Sequence, residues 1–210
     1  MKRFAGIQVA LMSLLIGCSV TQPAVKVDYY QLEYQPPPVK DGQALNVVVG
    51  VRRFGIASAY DHDRLVGTEK NLRVTQSYYH RWVNNPRMML SDLLLRDLAF
   101  SGNYKAVMML PSEVLPDFEI NCFVQEIVQD DSGAQPKVVV AMDVTLLGNP
   151  TQKDKTRVIF QKSYSIDIPC PEKTPAGIVK AMSVATKNLS AKIQQDVYEG
   201  IKTASVLSPL

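Results

Sequence analysis

Cys18 is the residue of this 210-residue chain whose setting most plainly implies chemistry. It follows Leu15-Ile16-Gly17 and closes an apolar stretch, Phe4 to Ile16, that begins after Lys2 and Arg3. A positive start, an apolar core and a small residue before the cut describe a secretory signal. The stretch is too short to anchor the chain itself, since a spanning helix needs about 20 residues. A cysteine directly after the cut adds a thiol that can take a lipid. The expectation is therefore that residues 1–17 are removed, that Cys18 is acylated, and that residues 18–26 form a polar tether. Ser19 follows the cysteine, with no Asp there to favour retention at the inner membrane. The expected address is the outer membrane of a Gram-negative envelope, facing the periplasm.

Other candidate chemistry is sparse. His62 lies in Tyr60-Asp61-His62-Asp63-Arg64, and His80 in Tyr79-His80-Arg81-Trp82. Two carboxylates beside an imidazole could bind a metal, but no second His or Cys stands at ligand spacing, so a loop of alternating charge is the reading. No Ser sits in a nucleophile turn, no Gly-rich phosphate loop occurs, and no carboxylate pair can be singled out. The reading is of a protein that is not an enzyme, with no cofactor and no metal. Cys122 and Cys170 leave two alternatives open, a disulfide allowed by the periplasm or two separate buried thiols. The segment Tyr78-Tyr79-His80-Arg81-Trp82 is distinctive by residue type. Tyr, Trp and Arg dominate protein interfaces because each joins a large area to a polar tip. Tyr78, Tyr79, Arg81 and Trp82 are thus the candidate partner-binding residues, and cover for a helix entry is the alternative role of Trp82 and one tyrosine.

Charge narrows the partners. Cleavage before Cys18 removes Lys2 and Arg3 and lowers the formal charge from +3 to +1, which gives no electrostatic reason to bind nucleic acid. After the signal, no stretch is long and uncharged enough to cross a membrane, so the lipid is the expected anchor.

The elements that must position these residues read as one domain over 27–210. Val27–Tyr34 is β-rich and ends at Gln35-Pro36-Pro37-Pro38, Leu45–Val51 is an apolar strand, and Arg64–Thr75 alternates around Glu69-Lys70-Asn71 as a hairpin. Asn85, Pro86 and Gly102 punctuate a helix whose stripe is Leu90, Leu93, Leu94 and Leu98, and Tyr104–Met109 returns as a strand in a β–α–β unit. Asp117–Gln129, Lys137–Leu147 and Arg157–Ile168 show period-two patterning, with Lys162 breaking the phase, and predict an antiparallel meander wet on one face. A last helix opens at Thr174-Pro175, carries Ile178, Ala181, Met182, Ala185, Leu189 and Ile193, and is expected to end at Gly200. The expected fold class is α+β, a two-layer sandwich of a mixed or antiparallel sheet and two main helices.

The chain resembles the auxiliary lipoproteins of ABC-type intermembrane lipid transporters, the PqiC-like group. The resemblance is carried by Val51-Arg52-Arg53-Phe54, Tyr60-Asp61 with Arg64-Leu65-Val66, Tyr78 to Trp82, Pro86, and Ser101-Gly102-Asn103-Tyr104-Lys105-Ala106-Val107. Tyr30-Gln31-Leu32 and the Leu-Ile-Gly-Cys site also fit. Where the family often continues the hairpin with Tyr-Arg, this chain has Gly67-Thr68. The resemblance implies a non-enzymatic part that works with an Mce-type substrate-binding protein and an ABC permease and ATPase to move lipid across the envelope. A homo-oligomer is compatible with the sequence, and nothing in it requires one. The rival expectation is a structural or assembly lipoprotein of the outer membrane unconnected with transport.

Overall fold

The computed structural model describes residues 25–38, 43–148 and 157–207. The signal segment 1–17, Cys18 and the tether as far as residue 24 lie outside the described residues. In chain order the elements are β1 (Asp28–Tyr30), β2 (Leu45–Arg52), β3 (Gly55–Ile56), β4 (Arg64–Glu69), β5 (Arg73–Trp82), α1 (Pro86–Phe100), β6 (Tyr104–Leu110), β7 (Phe118–Asp130), β8 (Lys137–Gly148), β9 (Arg157–Pro169) and α2 (Pro175–Leu207). They form an α+β sandwich of one nine-stranded mixed sheet and two helices.

The sheet is organised around β7. One edge pairs antiparallel with β8, which pairs antiparallel with β9, the expected meander. The other edge is divided among three strands, all parallel to it. β2 meets Phe118–Ile120, β3 meets Phe123 and Val124, and β4 meets Gln129 and Asp130. The sheet therefore branches into two arms. β6 lies parallel outside β2, while β5 lies antiparallel outside β4 and carries β1 parallel on its far side.

Both helices cover one face. Val138, Val140, Met142, Val144 and Leu146 of β8 are fully buried beneath the α2 stripe, which joins Leu90, Leu94 and Leu98 of α1 in one core. Period-two burial on a strand and 3.6-residue periodicity on a helix meet here as their geometry requires. A bulge lets β7 advance two positions, Val124 to Glu126, while β8 advances one, so the inward phase passes from Val124 to Ile127. Asn85 caps α1, its side-chain oxygen accepting from the Arg87 backbone N–H at 3.1 Å, and Gly102 makes the following turn at a φ of 67°. On the open face Asp143 accepts from Gln125 and Ser163, each at 2.6 Å, which ties the meander strands together in water. Arg52 forks Glu119 at 2.7 and 2.8 Å, and this hydrogen bond holds the Glu119 carboxyl below its ordinary range.

Three expectations are corrected. The helix α2 runs through Gly200 to Leu207. A Cβ at position 200 would lie 3.1 Å from both Leu146 and Phe160, so this glycine brings the helix close to the sheet and does not end it. The first strand is Asp28–Tyr30 only, because the chain then leaves the sheet for the helices. Leu32 enters the core, the Glu33 backbone N–H donates to Ser183 Oγ at 3.1 Å, and the Tyr34 hydroxyl donates to Asp97 Oδ2 at 2.8 Å. The second strand of the hairpin extends to Trp82, well beyond Thr75.

Lys162, out of phase in the sequence, points toward α2. Its Nζ lies 3.2 Å from Asp196, which also accepts from the Tyr164 hydroxyl at 2.7 Å. An inward-pointing charge on β9 is one way to discourage pairing along an open strand edge.

Burial raises the hydroxyls of Tyr34, Tyr60, Tyr104 and Tyr164 above the usual tyrosine range, reinforced by Asp97 at Tyr34, Glu126 at Tyr60, Tyr198 at Tyr104 and Asp196 at Tyr164. Folding thus binds these protons more tightly than the unfolded chain does. The stability they contribute is intact below about pH 10, the unfolded tyrosine value, and is lost as pH rises from there. An alkaline titration should show tyrosinate absorbance from these four appearing together with loss of the near-ultraviolet circular dichroism. Their ionisation well before unfolding would contradict this packing.

Candidate functional site

The candidate partner-binding residues occupy the end of β5, and the ladder there is irregular. Between the pairs Val66↔Gln76 and Arg64↔Arg81, β5 advances five positions while β4 advances two. The extra residues arch out, and a bulge of this kind re-aims side chains. Tyr78 is 60% exposed and Tyr79 is exposed beside it, their rings edge to face at 5.0 Å. The Arg81 guanidinium lies over the Tyr78 ring at 5.4 Å, donates through Nε to the Tyr78 carbonyl at 3.2 Å, and reaches Asp63 at 3.2 Å.

Trp82 is placed differently. It is 2% exposed and belongs to the core, and its backbone N–H donates to the Asp63 carbonyl at 2.6 Å. The structure brings Tyr78, Tyr79 and Arg81 to one surface and sends Trp82 inward, where no partner reaches it. On that inner side the Tyr30 hydroxyl is 3.5 Å from His80 Nδ1. His62 Nδ1 accepts from the Arg64 backbone N–H at 3.1 Å, a role within its own loop. Cys122 and Cys170 are both free and buried, and burial raises each thiol above its ordinary range. Among the described residues no three His, Cys, Asp or Glu side chains converge as a metal site, and no helix is long and apolar enough to cross a membrane.

At the opposite end of the hairpin is a feature the sequence reading passed over. Leu72 is 98% exposed at a φ of 62°, a left-handed conformation unusual for leucine. Val74 is exposed beside it. Below this tip opens a cleft of about 640 Å³ lined by Leu72, Val74, Val128 and Val139 together with Glu69, Lys70, Glu126 and Asp130. The available signal was an apolar residue in a turn whose other members, Glu69-Lys70-Asn71, are polar. One small gap lies between the helices and the sheet. The gap at Tyr34, Phe54, Leu90, Met142 and Ile193 holds about 10 Å³, too little for an acyl chain.

The family profile described as ABC-type transport auxiliary lipoprotein component matches residues 30–194, which takes in the hairpin, α1, the meander and the greater part of α2. The chain belongs to the ABC-type transport auxiliary lipoprotein family. Solved structures agree in fold. A Xanthomonas campestris protein of the DUF330 family has a TM-score of 0.77 at 17% identity, over 85% of this chain and 99% of its own. An uncharacterised protein has a TM-score of 0.64 at 13% identity, over 82% and 99%. A hypothetical protein from Chlamydia trachomatis has a TM-score of 0.50 at 10% identity, over 75% and 98%. No curated protein matches the chain significantly. In this auxiliary lipoprotein, then, one hairpin exposes a tyrosine-rich bulge at one end and an apolar tip at the other.

Proposed function

We propose that this auxiliary lipoprotein is a non-enzymatic docking component. It is held to the periplasmic face of the outer membrane through acylated Cys18, and it receives the periplasmic part of an Mce-type ABC transporter that moves lipid across the envelope. The observation that carries the docking role is the hairpin tip, where Leu72 stands wholly in solvent on a strained turn. Exposing an apolar side chain at the cost of left-handed backbone gains nothing for the isolated fold, and it suits an anchor that fills a partner's pocket. Membership of a transport auxiliary family makes the transporter's periplasmic component the fitting occupant. The small gap between the layers favours docking over carriage of lipid through that part of the core.

The test is capture of the C-terminally tagged, full-length chain from native membranes in mild detergent, read by mass spectrometry. An Mce-type protein with its permease and ATPase should be recovered. Leu72→Asn accepts the left-handed backbone and removes the apolar contact. It should leave the melting temperature unchanged or higher and reduce that recovery about tenfold, the effect of losing a hot-spot side chain. Reproducible recovery of another envelope complex in place of the transporter would replace this reading with the structural-lipoprotein one.

A further inference from the structure

The register of β1 on β5 carries an inference about the opposite end of the hairpin. Tyr29 pairs with Arg81, so the two side chains leave the sheet on the same side, while Tyr30 and Trp82 turn inward. Arg81 in turn lies over Tyr78, which touches Tyr79. Tyr29, Tyr78 and Tyr79, with exposed Val83 two residues beyond Arg81, therefore make one continuous aromatic and apolar surface.

The cation on this surface is already matched. Arg81 faces Asp63 at 3.2 Å. A surface of tyrosines with little net charge is suited to the headgroup zone of a bilayer, where an apolar ring sits below and a hydroxyl stays wet.

The chain length limits how far the domain can stand from that bilayer. Cys18 lies seven positions before Val25, a reach of at most about 25 Å when fully extended. A domain of this size is roughly 40 Å across. With the lipid on Cys18, the end of the domain that holds Val25 and β1 cannot be turned fully away from the membrane. Leu72 lies about 20 Å along β5 from Tyr79, toward the other end.

We infer that Tyr29, Tyr78 and Tyr79 form a membrane-resting face that seats the domain on the phospholipid headgroups around its own anchor and points the Leu72 tip into the periplasm. This rests on acylation of Cys18 as proposed above. The covalent tether supplies a high local concentration of bilayer, so a contact too weak to bind membranes by itself is enough to fix orientation. Because its cation is paired, the face holds at high salt and does not require anionic lipid. The aromatic patch that suggested a protein partner is thereby given to the membrane, and the protein partner to the tip.

The experiment uses the full-length lipoprotein in vesicles of phosphatidylethanolamine and phosphatidylglycerol, with lipid brominated near the glycerol end as quencher. Trp82 is the single native tryptophan and is buried, so it gives a constant background. With Tyr79→Trp the added indole should lose on the order of half its emission, as expected of a residue at headgroup depth, and with Leu72→Trp the added indole should lose almost none. Quenching at 72 and not at 79 would overturn the orientation. Absence of quenching at both would overturn the membrane face. Loss of transporter recovery in Tyr78→Ser/Tyr79→Ser alongside that absence would assign the surface to the protein partner. Intact mass separates this from the anchor reading. A chain without lipid removes both, whereas a lipidated chain without quenching removes only the membrane face.

Discussion

Trp82→Ala should unfold or severely destabilise the domain, by about 3–5 kcal/mol, the range for removing a buried tryptophan. The residue is fully enclosed where β5 ends, β1 pairs and α1 begins, so its loss opens a cavity at a junction of three elements. The surrounding strands are fixed by their ladders and cannot collapse into the space, which is what makes cavity terms large. Chemical denaturation of the domain produced without residues 1–18 should show the shift with little change in slope. Trp82→Phe should recover more than half of it by refilling most of the volume. A Trp82→Ala domain as stable as the parent, with transporter capture reduced, would mean that this side chain meets a partner after all.

Asp97→Ala should have an effect of similar size by a different route. The carboxylate is 1% exposed and accepts from three directions. Tyr34 donates at 2.8 Å, Ser190 at 2.6 Å, and Arg96 through two nitrogens at 2.9 and 2.7 Å. Arg96 also covers the Tyr34 ring at 4.6 Å. Removing the acceptor strands two buried hydroxyls and frees a guanidinium, a loss of about 3 kcal/mol or more. The damage should be local in origin. Hydrogen exchange should accelerate first over residues 31–38 and at the facing turns of α1 and α2. Tyr34→Phe removes one donor and leaves the others, and should cost only about 1 kcal/mol. Equal effects from the two substitutions would mean that Asp97 is held mainly by Tyr34.

What the sequence made legible was local. Asn85-Pro86 and Gly102 bound α1 through backbone geometry that neighbouring residues dictate, and the alternation of β7, β8 and β9 follows from one face being buried. Lys162 stood out as an error in that alternation because its partner, Asp196, lies 34 residues further on. Asp97 could not be recognised for the same reason. It looks like a surface acid on a helix, and its partners Tyr34 and Ser190 are 63 and 93 residues away. The division of one β7 edge among three strands has no signature in any of them. At the candidate site the sequence names the residues and not which way each one faces. A tryptophan beside two tyrosines reads as one patch, and the β5 bulge separates the tyrosines outward from the tryptophan inward. Gly200 misled because a helix stop and a close approach use the same residue for different reasons.

The route of the chain after β1 bears on how the domain answers a mechanical pull. Tension applied at the amino-terminal side of Asp28 meets the three residue pairs of β1 on β5, then the Leu32 side chain in the core, then the Tyr34–Asp97 bond to α1. The pull is spread in series over the sheet, the apolar layer and a charged hydrogen bond within seven residues. Residues beyond Tyr34 feel little of it until that sequence fails. A domain tied by its first strand alone would be freed once that strand peeled, whereas here Leu32 must also leave the core and the Tyr34–Asp97 bond must also break.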